Sequence, residues 1–292
     1  YCHRFPRPGE SVRGISFEAG CGGKGANQAA QIARLGGRVV MVGRVGNDIF
    51  GPLNIENLNK SGVITNFIDQ SETVGTATAT ITVSDEGENL VVVTLGANLE
   101  TPPSRADELE HVIANSKMIL CQYEIEHATI KRAFEVAKRN NVKTFFNFAP
   151  DKDDFDFEIL QLVDVLCTNE KETEFLSRMT INSVDDAVSA ARSMLRFGPT
   201  AVIATLGARG AVVVTRSGLC VHISVPPVKA VDSTGAGDSF CGSLAYLMTS
   251  KPRLSLEEQV RRAALIASIS VQRKGTQSSY PWAHDLPEDF LN

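Results

Sequence analysis

Hydrophobic and polar positions alternate most regularly where Thr76, Thr78, Thr80 and Thr82 are interleaved with Ala77, Ala79, Ile81 and Val83. A period of two over eight residues marks a strand with two unlike faces. The polar stretch Asp85-Glu86-Gly87-Glu88-Asn89 follows and Leu90–Leu95 reads as a returning strand, so a hairpin is expected. Elsewhere Arg38–Val42, Met118–Cys121, Thr144–Asn147, Val163–Cys167 and Ala201–Thr205 are short apolar runs of the kind buried parallel strands show. Between and after them, Ala26–Leu35, Ala106–Asn115, Ala128–Arg139, Val184–Arg196 and Leu256–Val271 read as helices. In the third of these, Ile130, Phe134 and Ala137 recur at helical spacing, with Lys131, Arg132 and Lys138 on the polar side. Alternating strands and helices predict an α/β fold: a doubly wound, Rossmann-like, mostly parallel sheet with helices on both faces. The hairpin breaks that rhythm. It is expected to form a small β lid with residues 1–20, leaving 21–75 and 97–292 as the core.

Composition narrows the classes of function. At 292 residues the chain exceeds the ~100–200 of an ordinary single domain, so one large α/β domain or a domain with an appendage is expected. Hydrophobic residues at 43% and charged residues at 22% exclude a disordered or fibrous chain. No apolar run approaches the ~18–20 residues of a membrane-spanning helix. With 29 basic and 34 acidic residues the net charge is −5, which argues against nucleic acid and against an anionic membrane as partners. Cys2, Cys21, Cys121, Cys167, Cys220 and Cys241 are widely spaced with no C-x-x-C, which suits neither a zinc site nor a disulfide scaffold. A reducing cytoplasm is the simplest compartment, with the nucleus as the alternative. Five histidines without H-E-x-x-H make a histidine-held metal improbable. The chain starts at Tyr1 with no legible targeting segment. If such an acidic protein binds a phosphate, a local device must overcome its overall field.

Ligands of open α/β sheets bind beyond the carboxyl ends of the strands, and four polar clusters are expected there. The first is Val231-Asp232-Ser233-Thr234-Gly235-Ala236-Gly237-Asp238-Ser239-Phe240, which follows a strand-like segment and opens an apolar helix. Its glycines allow close backbone approach, and unpaired N–H groups at the positive end of a helix make an anion site without basic side chains. Asp238 would lie beside that anion, although an aspartate at a helix start is also a common cap. The second is Gly22-Gly23-Lys24-Gly25-Ala26-Asn27-Gln28, in which Lys24 and Asn27 share a helix face and suit sugar hydroxyls. It is not a Walker loop, and a tight turn with a solvated lysine is the plainer alternative. The third, Asn169-Glu170-Lys171-Glu172, could position hydrated magnesium or simply cap a helix. In the fourth, Thr205-Leu206-Gly207-Ala208-Arg209-Gly210, a hydroxyl and glycines could meet a nucleotide, or form a hairpin turn into Ala211–Val214.

Taken together, these strings and the tail Lys274-Gly275-Thr276-Gln277-Ser278-Ser279-Tyr280-Pro281-Trp282 resemble, in order over nearly the whole chain, the ribokinase (PfkB) family of carbohydrate kinases. The resemblance implies ATP-dependent phosphorylation of the 5-hydroxyl of D-ribose. It implies Asp238 as catalytic base, with the amides of Gly235, Ala236 and Gly237 as an anion hole. Gly22, Gly23, Lys24, Asn27, Glu124 and Asp238 are implied as sugar contacts. Asn169, Glu172, Thr205, Gly207, Gly210 and Gly237 are implied on the ATP and Mg²⁺ side. A K⁺ site is implied at Asp232, Thr234, Ser270, Arg273, Gly275 and Ser279, several of them through backbone oxygens. A homodimer through paired lids is implied as well.

One departure stands out. Family members carry a strand ending in Gly and Asp before the segment that matches Phe5-Pro6-Arg7-Pro8-Gly9-Glu10, and its Asp binds sugar hydroxyls. The present sequence begins after that strand, so it is expected to be a fragment of a longer protein. A kinase for another sugar or a nucleoside, and an inactive sugar- or nucleotide-binding homologue, stand as alternatives.

Overall fold

Phe145 and Phe146, neighbours on one strand, are both fully buried and enter different cores on opposite sides of the central sheet. Val212 and Val213 divide in the same way, as the period-two geometry of a strand requires. The computed structural model describes residues 1–86, 88–150 and 155–291, so Gly87 of the expected turn lies outside the described residues.

Along the chain run α1 (Lys24–Arg34), β1 (Val40–Gly46), α2 (Phe50–Lys60), β2 (Ile64–Ser71), β3 (Thr78–Val83), β4 (Asn89–Thr94), α3 (Ser104–Glu108), α4 (Glu110–Ala114) and β5 (Met118–Gln122). There follow α5 (His127–Arg139), β6 (Lys143–Asn147), β7 (Val165–Asn169), α6 (Glu170–Ser177), α7 (Val184–Met194), β8 (Ala201–Thr205), β9 (Ala211–Thr215), β10 (Cys220–Ile223), α8 (Ala236–Ser250) and α9 (Leu256–Ser270). The main sheet has the order β10-β9-β8-β7-β6-β5. Strands β5 to β8 are parallel, and β9 and β10 complete the edge in antiparallel fashion. Helices α5, α6 and α7 cover one face through Ile130, Phe134, Leu176, Ala187 and Met194. Helices α8 and α9 cover the other through Phe240, Leu244, Val260, Ala263 and Ile266. This is the expected α/β architecture. Strands β1 and β2 form a separate parallel pair, and β3 with β4 an antiparallel one. No helix among the described residues is long and apolar enough to cross a membrane.

Four local expectations need correction. Strand β3 starts at Thr78, because Thr76 is drawn aside: its amide and hydroxyl donate to Asp48 at 2.7 and 2.8 Å. Residues 1–20 hold only an isolated Cys2–Gly14 bridge, with the Cys2 amide donating to the Val83 carbonyl at 2.9 Å. Pro6 and Pro8 offer no N–H from which a ladder could continue. Residues 224–235 form no strand before the glycine-rich string, since Pro226 and Pro227 remove two successive donors. Finally, the helix expected over Ala106–Asn115 divides at Leu109, whose backbone leaves the helical region.

Candidate active site

Helix α8 packs against α1 at unusually close range. A side chain at Gly242 would meet the Gln28 carbonyl at 2.7 Å and Gln31 Cβ at 2.9 Å, so glycine alone allows the approach. That contact lays the first turns of the two helices side by side, and with them Asp238, Asn27 and Gln28. All three are buried. Asn27 Nδ2 donates to Asp238 Oδ2 and Gln28 Nε2 to Oδ1, each at 2.9 Å. Neither amide is free to turn. Asn27 Oδ1 accepts from Gln277 at 2.9 Å, and Gln28 Oε1 accepts from Gln122 at 2.6 Å. Gln28 Nε2 also donates to Asn147 Oδ1 at 2.9 Å. A buried carboxylate with both oxygens satisfied by hydrogen-bond donors is held in one orientation.

The turn into α8 is made by Gly235, whose φ of 76° lies in the left-handed region. Of the three amides expected in an anion hole, that of Ala236 donates to the Ser233 carbonyl at 3.2 Å. The amides of Gly235 and Gly237, and that of Asp238 itself, have no acceptor among the described residues. Of the three expected amides, two are thus left without an acceptor among the described residues, and that of Ala236 is spent on closing the turn. These donors lie at the positive end of a 15-residue helix.

Lys24 begins α1, and its main-chain amide donates to Glu124 Oε2 at 2.8 Å. Burial works against its ammonium. The charges of Asp238, Glu124 and Glu172 outweigh burial, so its pKa lies above the ordinary lysine value. Burial pushes the Glu124 carboxyl up, opposed by the Lys24 amide and charge. One cation and three carboxylates, from four separate parts of the sequence, thus act on one another near the mouth of α8.

Asn169 and Thr205 are register partners at the carboxyl ends of β7 and β8. Asn169 caps α6: its Oδ1 accepts from the Glu172 amide at 2.9 Å, while Glu172 accepts from the Asn169 amide at 2.7 Å and from Nδ2 at 2.8 Å. The capping reading of this string is therefore realised, with Glu172 buried. The Thr205–Gly210 string is the β8–β9 hairpin turn, in which Gly207 and Gly210 have positive φ and the Leu206 amide donates to the Gly210 carbonyl at 2.7 Å. Arg209 forms an ion pair with Glu170, tying that turn to the start of α6.

Three further segments converge behind Gly235. Asp232 accepts from the amides of Thr234 and Gly275, both at 2.9 Å. Its own amide donates to the Val271 carbonyl at 3.1 Å. The Ser270 carbonyl accepts from the Arg273 amide, and the Arg273 side chain turns away towards Asp285, at 3.9 Å. Ser279 directs its hydroxyl to the Thr276 carbonyl at 2.7 Å. Burial works against the Asp232 carboxylate, and hydrogen bonds from Thr234 and Gly275 overcome it and lower its pKa. One carboxylate amid main-chain carbonyls is a donor set suited to a weakly charged, oxygen-seeking cation.

Sequence reasoning did not single out Gln28, Gln122, Asn147 or Tyr280. Gln28 and Asn147 are buried amides and Gln122 is a half-buried one, and their signal was a polar residue in an apolar helix start or at the end of a strand. Tyr280 gave no signal beyond its place in the tail string.

The chain is similar to known proteins over nearly its whole length. The profile described as pfkB family carbohydrate kinase matches residues 1–283. The chain is 44% identical over 285 residues to ribokinase of Mus musculus, covering 97% of this chain and 88% of that protein. It is 34% identical over 281 residues to deoxyribokinase of Salmonella typhi, covering 96% and 91%. Among solved structures, Arabidopsis thaliana ribokinase complexed with ribose and ATP superposes with a TM-score of 0.91 at 29% identity, covering 97% of this chain and 91% of that one.

Proposed function

We propose, on the premise that this chain belongs to the pfkB family of carbohydrate kinases, that it transfers the γ-phosphoryl group of ATP to the 5-hydroxyl of D-ribose. The observation that carries the reading is the pairing of Asp238 with unpartnered amides at the mouth of α8. Phosphoryl transfer passes through a loose transition state, so positioning and charge stabilisation outweigh covalent chemistry, and one proton acceptor suffices. Asp238 takes the proton of the attacking hydroxyl. The amides of Gly235 and Gly237 face the charge that builds on the transferring group, in a site where donors need no reorganisation. Lys24 adds a positive charge, and Gly22, Gly23, Asn27 and Glu124 line the sugar side.

Asn169, Glu172, Thr205, Gly207 and Gly210 line the nucleotide side. Because both Glu172 oxygens accept from Asn169, Glu172 would hold Mg²⁺ through water, as that ion's reluctance to dehydrate allows. Bound Mg²⁺ would neutralise charge on the ATP phosphates. Asp232, Thr234, Ser270, Arg273, Gly275 and Ser279, several through main-chain oxygens, would hold K⁺, whose charge would strengthen the adjacent anion hole electrostatically.

The β3–β4 hairpin supports a homodimer. Ala79, Ile81, Val83, Val91 and Val93 share one of its faces by register, and Val91 and Val93 are 49% and 55% exposed. An uncovered apolar face of this kind suits a second copy of the chain. The six cysteines are present as free thiols, in keeping with a cytoplasmic location.

The test is a coupled assay for ADP formation with D-ribose, 2-deoxyribose, fructose and adenosine as acceptors. Preferential turnover of ribose is expected. A clear preference for any of the others reassigns the substrate, and ADP formation with none of them overturns the reading.

A further inference from the structure

The Tyr280 hydroxyl donates to the Gly235 carbonyl at 2.9 Å, and Tyr280 is 1% exposed. The same carbonyl accepts the first bond of α8, from the Ser239 amide at 2.9 Å. Two donors therefore converge on one oxygen, at the only residue of the turn with positive φ. A peptide unit is planar, so fixing the carbonyl of Gly235 also fixes the Ala236 amide at its other end. That amide is gripped in turn by the Ser233 carbonyl. The Gly235–Ala236 peptide is thus clamped at both ends, and the two free amides of the proposed anion hole, on Gly235 and Gly237, belong to the peptides on either side of it. Glycine left to itself would sample many orientations there.

Tyr280 is itself held in place. Its main-chain carbonyl accepts from Arg34 Nη1 at 3.0 Å, and the Arg34 guanidinium lies over the Trp282 ring, 5.1 Å from its centroid. Burial, reinforced by the charge of Asp238, drives the phenol far above its ordinary pKa, so the hydroxyl stays a donor. Nothing in the phosphoryl-transfer scheme uses Tyr280 directly.

We infer that Tyr280 is a positioning residue that preorganises the anion hole by clamping the Gly235–Ala236 peptide. The inference rests on the reading of the site as a sugar kinase, and the experiment separates the two. Wild type and Tyr280→Phe are compared in steady-state turnover, in affinity for ADP, and in affinity for ADP with aluminium fluoride and ribose, which mimics the transferring group. Loss of a single hydrogen bond is expected to lower kcat about five- to tenfold. The KM values for ribose and ATP stay within about twofold, because ground-state binding does not use the hole. Affinity for the aluminium fluoride complex falls in parallel with kcat while affinity for ADP alone is kept. Unchanged kcat and unchanged affinity for the mimic in Tyr280→Phe overturn the positioning role while leaving the kinase reading intact. So does an equal weakening of ADP and of the mimic, which marks a merely structural residue. A wild type without turnover overturns the kinase reading and this role with it.

Discussion

Asn27 and Asp238, 211 positions apart in sequence, meet at 2.9 Å through an amide nitrogen and a carboxylate oxygen that are both buried. This contact joins the sugar-side string to the glycine-rich string and makes a single site of them. Asn27→Asp would set a second carboxylate at that distance, where like charges disfavour joint ionisation. The acid limb of the kcat/KM profile is expected to move up by more than about one pH unit. An unmoved limb would show that the contact is incidental to proton transfer.

The Asn169 cap and the Glu172 carboxylate are separable. Asn169→Ala removes the cap and is expected to cost about 0.5–2 kcal/mol in urea unfolding. In Glu172→Gln the side-chain oxygen can still accept from the Asn169 amide, so the stability loss should be smaller. That variant instead raises the Mg²⁺ concentration for half-maximal activity several-fold. A Mg²⁺ requirement identical to wild type rejects the assignment of Glu172 to the metal side.

Asp232 supplies a prediction about monovalent cations. Its carboxylate, whose pKa is lowered by hydrogen bonds from Thr234 and Gly275, lies three residues before Gly235 of the proposed anion hole. Activity in potassium chloride should exceed that in sodium chloride at equal ionic strength, and Asp232→Asn should abolish the difference. Equal rates in the two salts would contradict the cation site.

Stability should carry an acid-side signature from Glu258. Hydrogen bonds from Arg261, and then Arg262, outweigh burial and lower its pKa to about 2. A depressed carboxyl binds its proton more weakly folded than unfolded, so its contribution is present above the ordinary 4.5 and is lost as pH falls towards 2. With Arg261 half exposed, screening limits the effect to about 0.5–1 kcal/mol. Denaturant unfolding of Glu258→Gln should show that deficit at pH 7 and a shrinking one towards pH 3. A deficit independent of pH would assign the effect to packing.

The strands from Met118 to Thr205 were legible because a strand buried on both faces must be apolar throughout. The four clusters were legible because chemistry at strand ends and helix starts uses glycine and polar residues that a core would exclude. The orienting shell was less so. Gln28 lies beside Asn27 in the sequence, but Asn147 lies far along the chain from any site residue, and their bond to each other is a tertiary fact that periodicity does not encode. Ala236 shows a similar limit. Its amide looked available from the string, and only the three-dimensional turn commits it to Ser233. Thr76 left its strand because Asp48, 28 residues earlier, offers two better acceptors than a ladder position would.

Replacing Asp238 by asparagine tests the central claim most directly, because the amide keeps the size of the side chain and removes its capacity to take up a proton. In the coupled ADP assay with D-ribose, kcat should fall roughly 10²–10⁴-fold, the usual range for loss of a general base, with thermal unfolding little changed. Turnover at the wild-type rate in a folded Asp238→Asn protein would contradict it.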